Sequence, residues 1–140
     1  MKLTIHTDGG SRGNPGEAAV GVVIEQVIDG KTQLVHQFGK RIGTATNNEA
    51  EYQAVIEALV YVINGIDSDS FSEIHFVLDS LLVCQQLKGI YKIKEERLRI
   101  MAQRIQEFTQ DIGKLISYSH VLRAQNREAD RLVNEALDTA

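Results

Sequence analysis

The spacing of apolar residues changes character near residue 46, and that change restricts the chain to a few arrangements. Before it the pattern has period two. Residues 2–8 set Leu3, Ile5 and Thr7 against Lys2, Thr4, His6 and Asp8, the alternation of a half-buried strand. Residues 18–28 are rich in Val and Ile, residues 32–41 continue as a third strand, and Asp29-Gly30 between them is a hairpin signal. The stretch Gly9-Gly10-Ser11-Arg12-Gly13-Asn14-Pro15-Gly16 reads as a rigid turn-forming loop after a first strand that ends at Asp8. Three strands in succession with short connections make an antiparallel meander.

After residue 46 the period becomes helical. Ala50, Ala54, Val55, Ala58, Leu59, Val62 and Ile63 share a stripe, and Asn64-Gly65 stops it. Residues 74–78 are apolar at nearly every position, as in a strand buried on both faces. Residues 80–87 read as a short helix, 94–112 as a long amphipathic helix stopped by Gly113, 115–121 as a fifth strand and 126–137 as a last helix. Strands four and five are reached through helical crossovers, so they should run parallel to strand one. The expectation is an α/β fold, a five-stranded mixed sheet flanked by helices, in one domain spanning residues 1–140.

Four acids fall at the ends of these expected core elements: Asp8, Glu51, Asp79 and Asp130. Each has an ordinary explanation when taken alone, such as a turn for Asp8, a helix cap for Asp79, or a basic partner for Glu51 and for Asp130. Glu51 stands out because it heads the face of Val55, Ala58, Leu59 and Val62, whereas Glu49 leads a mixed, largely solvated face. Asp130 and Glu128 border the apolar face of the last helix on opposite sides, and periodicity does not separate them. If the fold gathers four carboxylates, repulsion is ~4 kcal/mol per pair at ~4 Å and an effective dielectric of ~20. Divalent metal is the economical remedy, and oxygen-only ligands suit Mg²⁺ or Mn²⁺ better than zinc.

The net charge of −4 argues against a generic duplex binder. Bound cations would offset it, and Lys88, Lys92, Lys94, Arg97 and Arg99 form a local basic stretch, so charge leaves a nucleic-acid partner open. With no long apolar run, no signal-like N-terminal block and a single cysteine, Cys84, the expectation is a cytoplasmic monomer without disulfide or membrane span.

The motifs Thr7-Asp8-Gly9-Gly10-Ser11-Arg12-Gly13-Asn14-Pro15-Gly16, Thr46-Asn47-Asn48-Glu49-Ala50-Glu51, Asp79-Ser80 and Asn126-Arg127-Glu128-Ala129-Asp130, in this order, resemble ribonuclease H type 1 over essentially the whole chain. The resemblance implies hydrolysis of the RNA strand of RNA–DNA hybrids with two Mg²⁺ or Mn²⁺ ions, leaving 5′-phosphate and 3′-hydroxyl ends. It selects Asp8, Glu51, Asp79 and Asp130 as catalytic metal ligands, the last over Glu128. It also implies hybrid contacts from Gly10, Ser11, Arg12, Asn14, Thr46, Asn47 and Asn48. Three departures follow from the same comparison. Leu81 stands where many members carry a glutamine, Lys88–Lys94 replaces a basic protrusion, and the histidine often found before the last helix has no clear match. His120 is nearest but should end a strand, leaving Arg123 to engage the scissile phosphate or leaving group. His6, His36 and His75 are expected in strands without catalytic duty, and Cys84 in the core. A hybrid-binding module without turnover is the alternative; a sugar-kinase-like phosphotransferase would need a second domain.

Overall fold

Five strands form one sheet in the order β3-β2-β1-β4-β5 in the computed structural model, which describes residues 1–139. The strands are β1 (Lys2–Gly13), β2 (Gly16–Ile28), β3 (Lys31–Ala45), β4 (Glu73–Leu78) and β5 (Leu115–His120); the helices are α1 (Asn47–Gly65), α2 (Leu81–Leu87), α3 (Glu96–Ile112) and α4 (Arg127–Asp138). β1 to β3 are antiparallel neighbours, and β4 and β5 run parallel to β1, as expected from the crossovers.

The expected loop after Asp8 is instead strand. β1 runs on through Gly13, paired with β2 residue by residue from Lys2↔Val27 to Gly13↔Gly16. Composition misleads here because β2 supplies a ladder partner to every residue of the glycine-rich stretch; the reversal is confined to Asn14-Pro15, and Gly13 takes the positive φ of 101° that it needs. Pairing with β4 stops earlier, at Thr7↔Leu78. Asp8 therefore sits in mid-strand on one side and at the end of the parallel pairing on the other, where a cleft opens.

The two faces of the sheet are covered differently. Leu3, Ile5, Val22, Ile24, Phe76 and Leu78 face α1 to α3 and pack with Tyr52, Val55, Leu59, Cys84, Leu98 and Ile105 in the main core. Complete burial of such side chains contributes about 1.5–3 kcal/mol each. On the opposite face α4 lays Ala129, Leu132, Val133 and Leu137 over Ala19 and Val23. The helix comes close because β2 and β3 carry glycines beneath it: a Cβ on Gly21 would lie 2.1 Å from the Ala129 carbonyl oxygen, and one on Gly39 2.4 Å from that of Leu132. Each is an impossible contact, so any side chain at either position would lift α4 and with it Asp130.

Candidate active site

α1 begins with a capping box that accounts for Glu49. The Glu49 backbone N–H donates to Thr46 Oγ1 at 3.1 Å, and the Thr46 N–H donates to Glu49 Oε1 at 2.9 Å. With Glu49 spent on the helix end, Glu51 turns toward the sheet, only 7% exposed. Contact between β1 and α1 is again made by a glycine. A Cβ on Gly9 would meet the Ala50 carbonyl oxygen at 2.2 Å and the Glu51 nitrogen at 2.5 Å. The same Gly9 donates its N–H to Glu51 Oε1 at 3.3 Å, while the buried Glu51 Oε2 has no hydrogen-bond partner.

Asp8, itself 6% exposed, and Asp79 complete a cluster. One oxygen from each of Asp8, Glu51 and Asp79 lies within 4.8 Å of the others. Ser80, not Asp79, caps α2 by accepting from the Val83 N–H at 3.2 Å, which leaves Asp79 free to face the cleft. Asn126, buried at the start of α4, donates to the Thr7 carbonyl oxygen at 2.9 Å and to Asp79 Oδ2 at 3.3 Å, tying the two strand ends and α4 together. Asp130 stands apart from the cluster of three but lines the same cavity of about 460 Å³. Its Oδ1 is 3.5 Å from the exposed Arg123 Nη2, whereas Glu128 pairs outward with Arg131. A larger cavity of about 700 Å³ between α2, α3 and β5 is lined by no carboxylate.

The electrostatics of the cluster are those of negative charge without compensation. Burial pushes the Asp8 carboxyl up to about 7, reinforced by the charges of Asp79 and Asp130. Glu51 is held well above the ordinary carboxylate range, first by burial and then by the Asp8 charge. Asp79 is raised by burial, with Asn126 and Arg123 pulling the other way. Among the described residues no lysine or arginine forms a salt bridge with Asp8, Glu51 or Asp79. Three converging carboxylates, one with an orphaned buried oxygen, fit a hard divalent cation through oxygen ligands.

Comparison with known proteins agrees with this geometry. Residues 6–136 match the family model described as reverse transcriptase-like. The chain is 43% identical to ribonuclease HI of Halobacterium salinarum over 99% of its own length and 66% of that protein's. It superposes on the crystal structure of RNase H1 from that archaeon with a TM-score of 0.88 at 41% identity, covering all of both chains. The chain belongs to the ribonuclease H type 1 family. LC11-RNase H1, crystallised in complex with an RNA/DNA hybrid, matches with a TM-score of 0.84 and 38% identity over 97% of this chain and 96% of the other. A bifunctional protein of Mycobacterium tuberculosis is 39% identical over this whole chain but 36% of its own length. The chain thus spans less than two thirds of the length of these curated relatives.

Within the ribonuclease H frame, the residues expected to contact a hybrid are largely occupied in holding the cavity rim. Ser11 N–H donates to Asn47 Oδ1 at 2.9 Å, and Asn47 N–H to Asn14 Oδ1 at 3.0 Å. Ser11 Oγ lies within donating reach of the carbonyl oxygens of Ala45, at 2.7 Å, and Gly13, with one proton to give to either. These bonds fasten the β1–β2 turn to the start of α1. Gly10 faces Val133 of α4, Asn48 lines the cavity, and Arg12 is paired with Asp138 at 2.6 Å. His120 does end β5. His6 pairs with Glu25, His75 bridges Ser117 and Ser119, and His36 stacks on Tyr61, and none of them lines the cavity. Residues 88–95 join α2 to α3 without a helix, the compact connection expected. Leu81 is half-exposed at the first position of α2. Sequence reasoning gave no role to Asn126; its only signal was a place in the fourth motif.

Proposed function

We propose that this ribonuclease H cleaves the RNA strand of RNA–DNA hybrids endonucleolytically, leaving 5′-phosphate and 3′-hydroxyl ends. The observation that carries the proposal is the convergence of the buried Asp8 and Glu51 with the half-buried Asp79 in an open cavity, none of the three in a salt bridge among the described residues. That a relative of 38% identity was crystallised with an RNA/DNA hybrid supports the substrate class. Asp8, Glu51, Asp79 and Asp130 would hold two Mg²⁺ or Mn²⁺ ions. When bound, such a pair supplies positive charge that makes water acidic enough to attack at neutral pH and that stabilises a departing 3′ oxygen.

The protein's own residues do the positioning. The Gly9 N–H orients Glu51, and Asn126 orients Asp79, so both carboxylates are aimed before substrate arrives. Asn47 and Asn48 bring amides, which both donate and accept, to a rim where RNA can be told from DNA by its 2′-hydroxyls. Arg123, exposed on the turn before α4, is placed to meet the scissile phosphate or leaving group. A cytoplasmic, monomeric form completes the proposal; a free, buried Cys84 suits a reducing compartment.

The decisive experiment compares wild type with Asp8→Asn on a hybrid labelled on each strand, in Mg²⁺, Mn²⁺ and chelator. Cleavage of RNA alone, by wild type alone, with divalent metal alone, is expected; activity surviving Asp8→Asn would sink the site assignment. The exposed Leu81 beside Asp79 favours a second reading, a hybrid-binding module with weak or no turnover. A gel shift with hybrid but no cleavage in either metal would select it.

A further inference from the structure

Two cations line the catalytic cavity among the described residues, Arg12 and Arg123. Both are engaged by α4. Asp130 faces Arg123 at 3.5 Å and Asp138 holds Arg12 Nη2 at 2.6 Å. The two acids are roughly two helical turns apart, hence on one side of the helix. Asp130 belongs to the site already described, but Asp138 is placed in it by nothing so far. It is also poorly placed for α4 itself. A carboxylate in the last turn faces the negative end of the helix dipole, and this turn has no basic residue of its own. The carbonyl oxygens of Ala136 and Leu137 are instead satisfied by Arg41, at 3.1 and 2.8 Å. The ion-pair partner of Asp138 is Arg12, across the cavity rim rather than on its own helix.

We propose that Asp138 is an intramolecular competitor for Arg12, which a backbone phosphate of the nucleic-acid substrate must displace to bind at the cavity rim. The cavity floor is made of carboxyl groups and offers an approaching phosphodiester no cation of its own, so attraction has to come from the rim. Arg12 is about half-exposed, with 48% of its side chain accessible, and Asp138 is 66% accessible. Both are free to exchange partners, and an exposed ion pair is weak enough for a phosphate to replace it. The competition has a signature. Salt weakens an Arg12–phosphate contact, but it weakens the Arg12–Asp138 contact as well, so Asp138 flattens the salt dependence of binding. Without it, Arg12 should contribute a full phosphate contact, about one unit of slope in the logarithmic salt plot.

This inference rests on the proposed nucleic-acid substrate, and the test separates the two. Wild type, Asp138→Asn, Arg12→Ala and the double variant are titrated with a fluorescent RNA–DNA hybrid in chelator, where no cleavage occurs, over a series of salt concentrations. Asp138→Asn is expected to bind about two- to five-fold more tightly at low salt, with a steeper slope, and the gain should vanish in the Arg12→Ala background. Equal affinity and slope for wild type and Asp138→Asn would overturn the proposal while leaving the hybrid substrate intact. So would an identical gain with and without Arg12, which would make Asp138 a diffuse charge only. Failure of every form to bind hybrid in chelator and also, with Asp8→Asn added to suppress cleavage, in Mg²⁺ would overturn the substrate assignment and the competitor with it.

Discussion

The four carboxylates divide into an inner and an outer pair, and the two are held by different physics. Asp8 and Glu51 are almost completely buried, come from a central strand and the helix packed on it, and meet because Gly9 lets the two backbones touch. Among the described residues neither has a basic partner. Asp79 and Asp130 lie at the cleft's edge, more accessible, and each has a local companion: Asn126 for Asp79, Arg123 for Asp130. The inner pair is thus a standing electrostatic cost built into the core, and the outer pair an adjustable rim. A protein tolerates the first only where something outside its own side chains repays it.

If the division is real, substitutions should fall into two classes. Asp8→Asn or Glu51→Gln should lower kcat/KM on a labelled hybrid by at least about 10³-fold, since under the proposed mechanism each would take a negatively charged oxygen from metal-holding groups that act as a unit. Asp130→Asn, and Asn126→Ala acting through Asp79, should cost about 10–100-fold, the range for ligands or orienting groups with partial substitutes. Equal losses for all four positions would erase the distinction. Gly9→Ala should act on the inner pair through the backbone, destabilising the fold by about 1–3 kcal/mol or more in urea titration; a neutral effect would mean that the β1–α1 contact yields freely.

The smallest effect is in pH dependence, and its sign is diagnostic. A carboxyl raised from 3.8 to about 7, as Asp8 is, binds its proton in the folded state while the unfolded state has lost it. Between those values folding takes up a proton, so stability falls as pH rises from about 4 to 7 and then levels off. Metal-free protein should therefore resist denaturant better at pH 5 than at pH 8 as far as this pair is concerned. Asp8→Asn should flatten that slope, and divalent metal should bind more tightly as pH rises, releasing protons. A slope of opposite sign, unchanged by Asp8→Asn, would contradict the burial of uncompensated charge.

Much of this was legible in local pattern. The switch from period two to helical period placed the nine main elements of the described residues, because period follows from which face of a segment is apolar, and the helical crossovers gave the parallel direction of β4 and β5. Glu51 was singled out over Glu49 by its stripe, although the reason Glu49 was free to look idle, its capping box with Thr46, went unread. The glycine-rich run after Asp8 has the composition of a loop but pairs as strand, and with so few side chains it has no alternation to display.

Local order in the chain also determined which acids were anomalous, because a charge at the head of an apolar stripe is costly wherever the stripe is buried. It left open which of them meet. That was decided by backbone approach at Gly9, Gly21 and Gly39 and by the bonds of Asn126, contacts between residues tens of positions apart. A glycine's worth lies in what it allows a distant segment to do, and only the assembled sheet and helices reveal that segment.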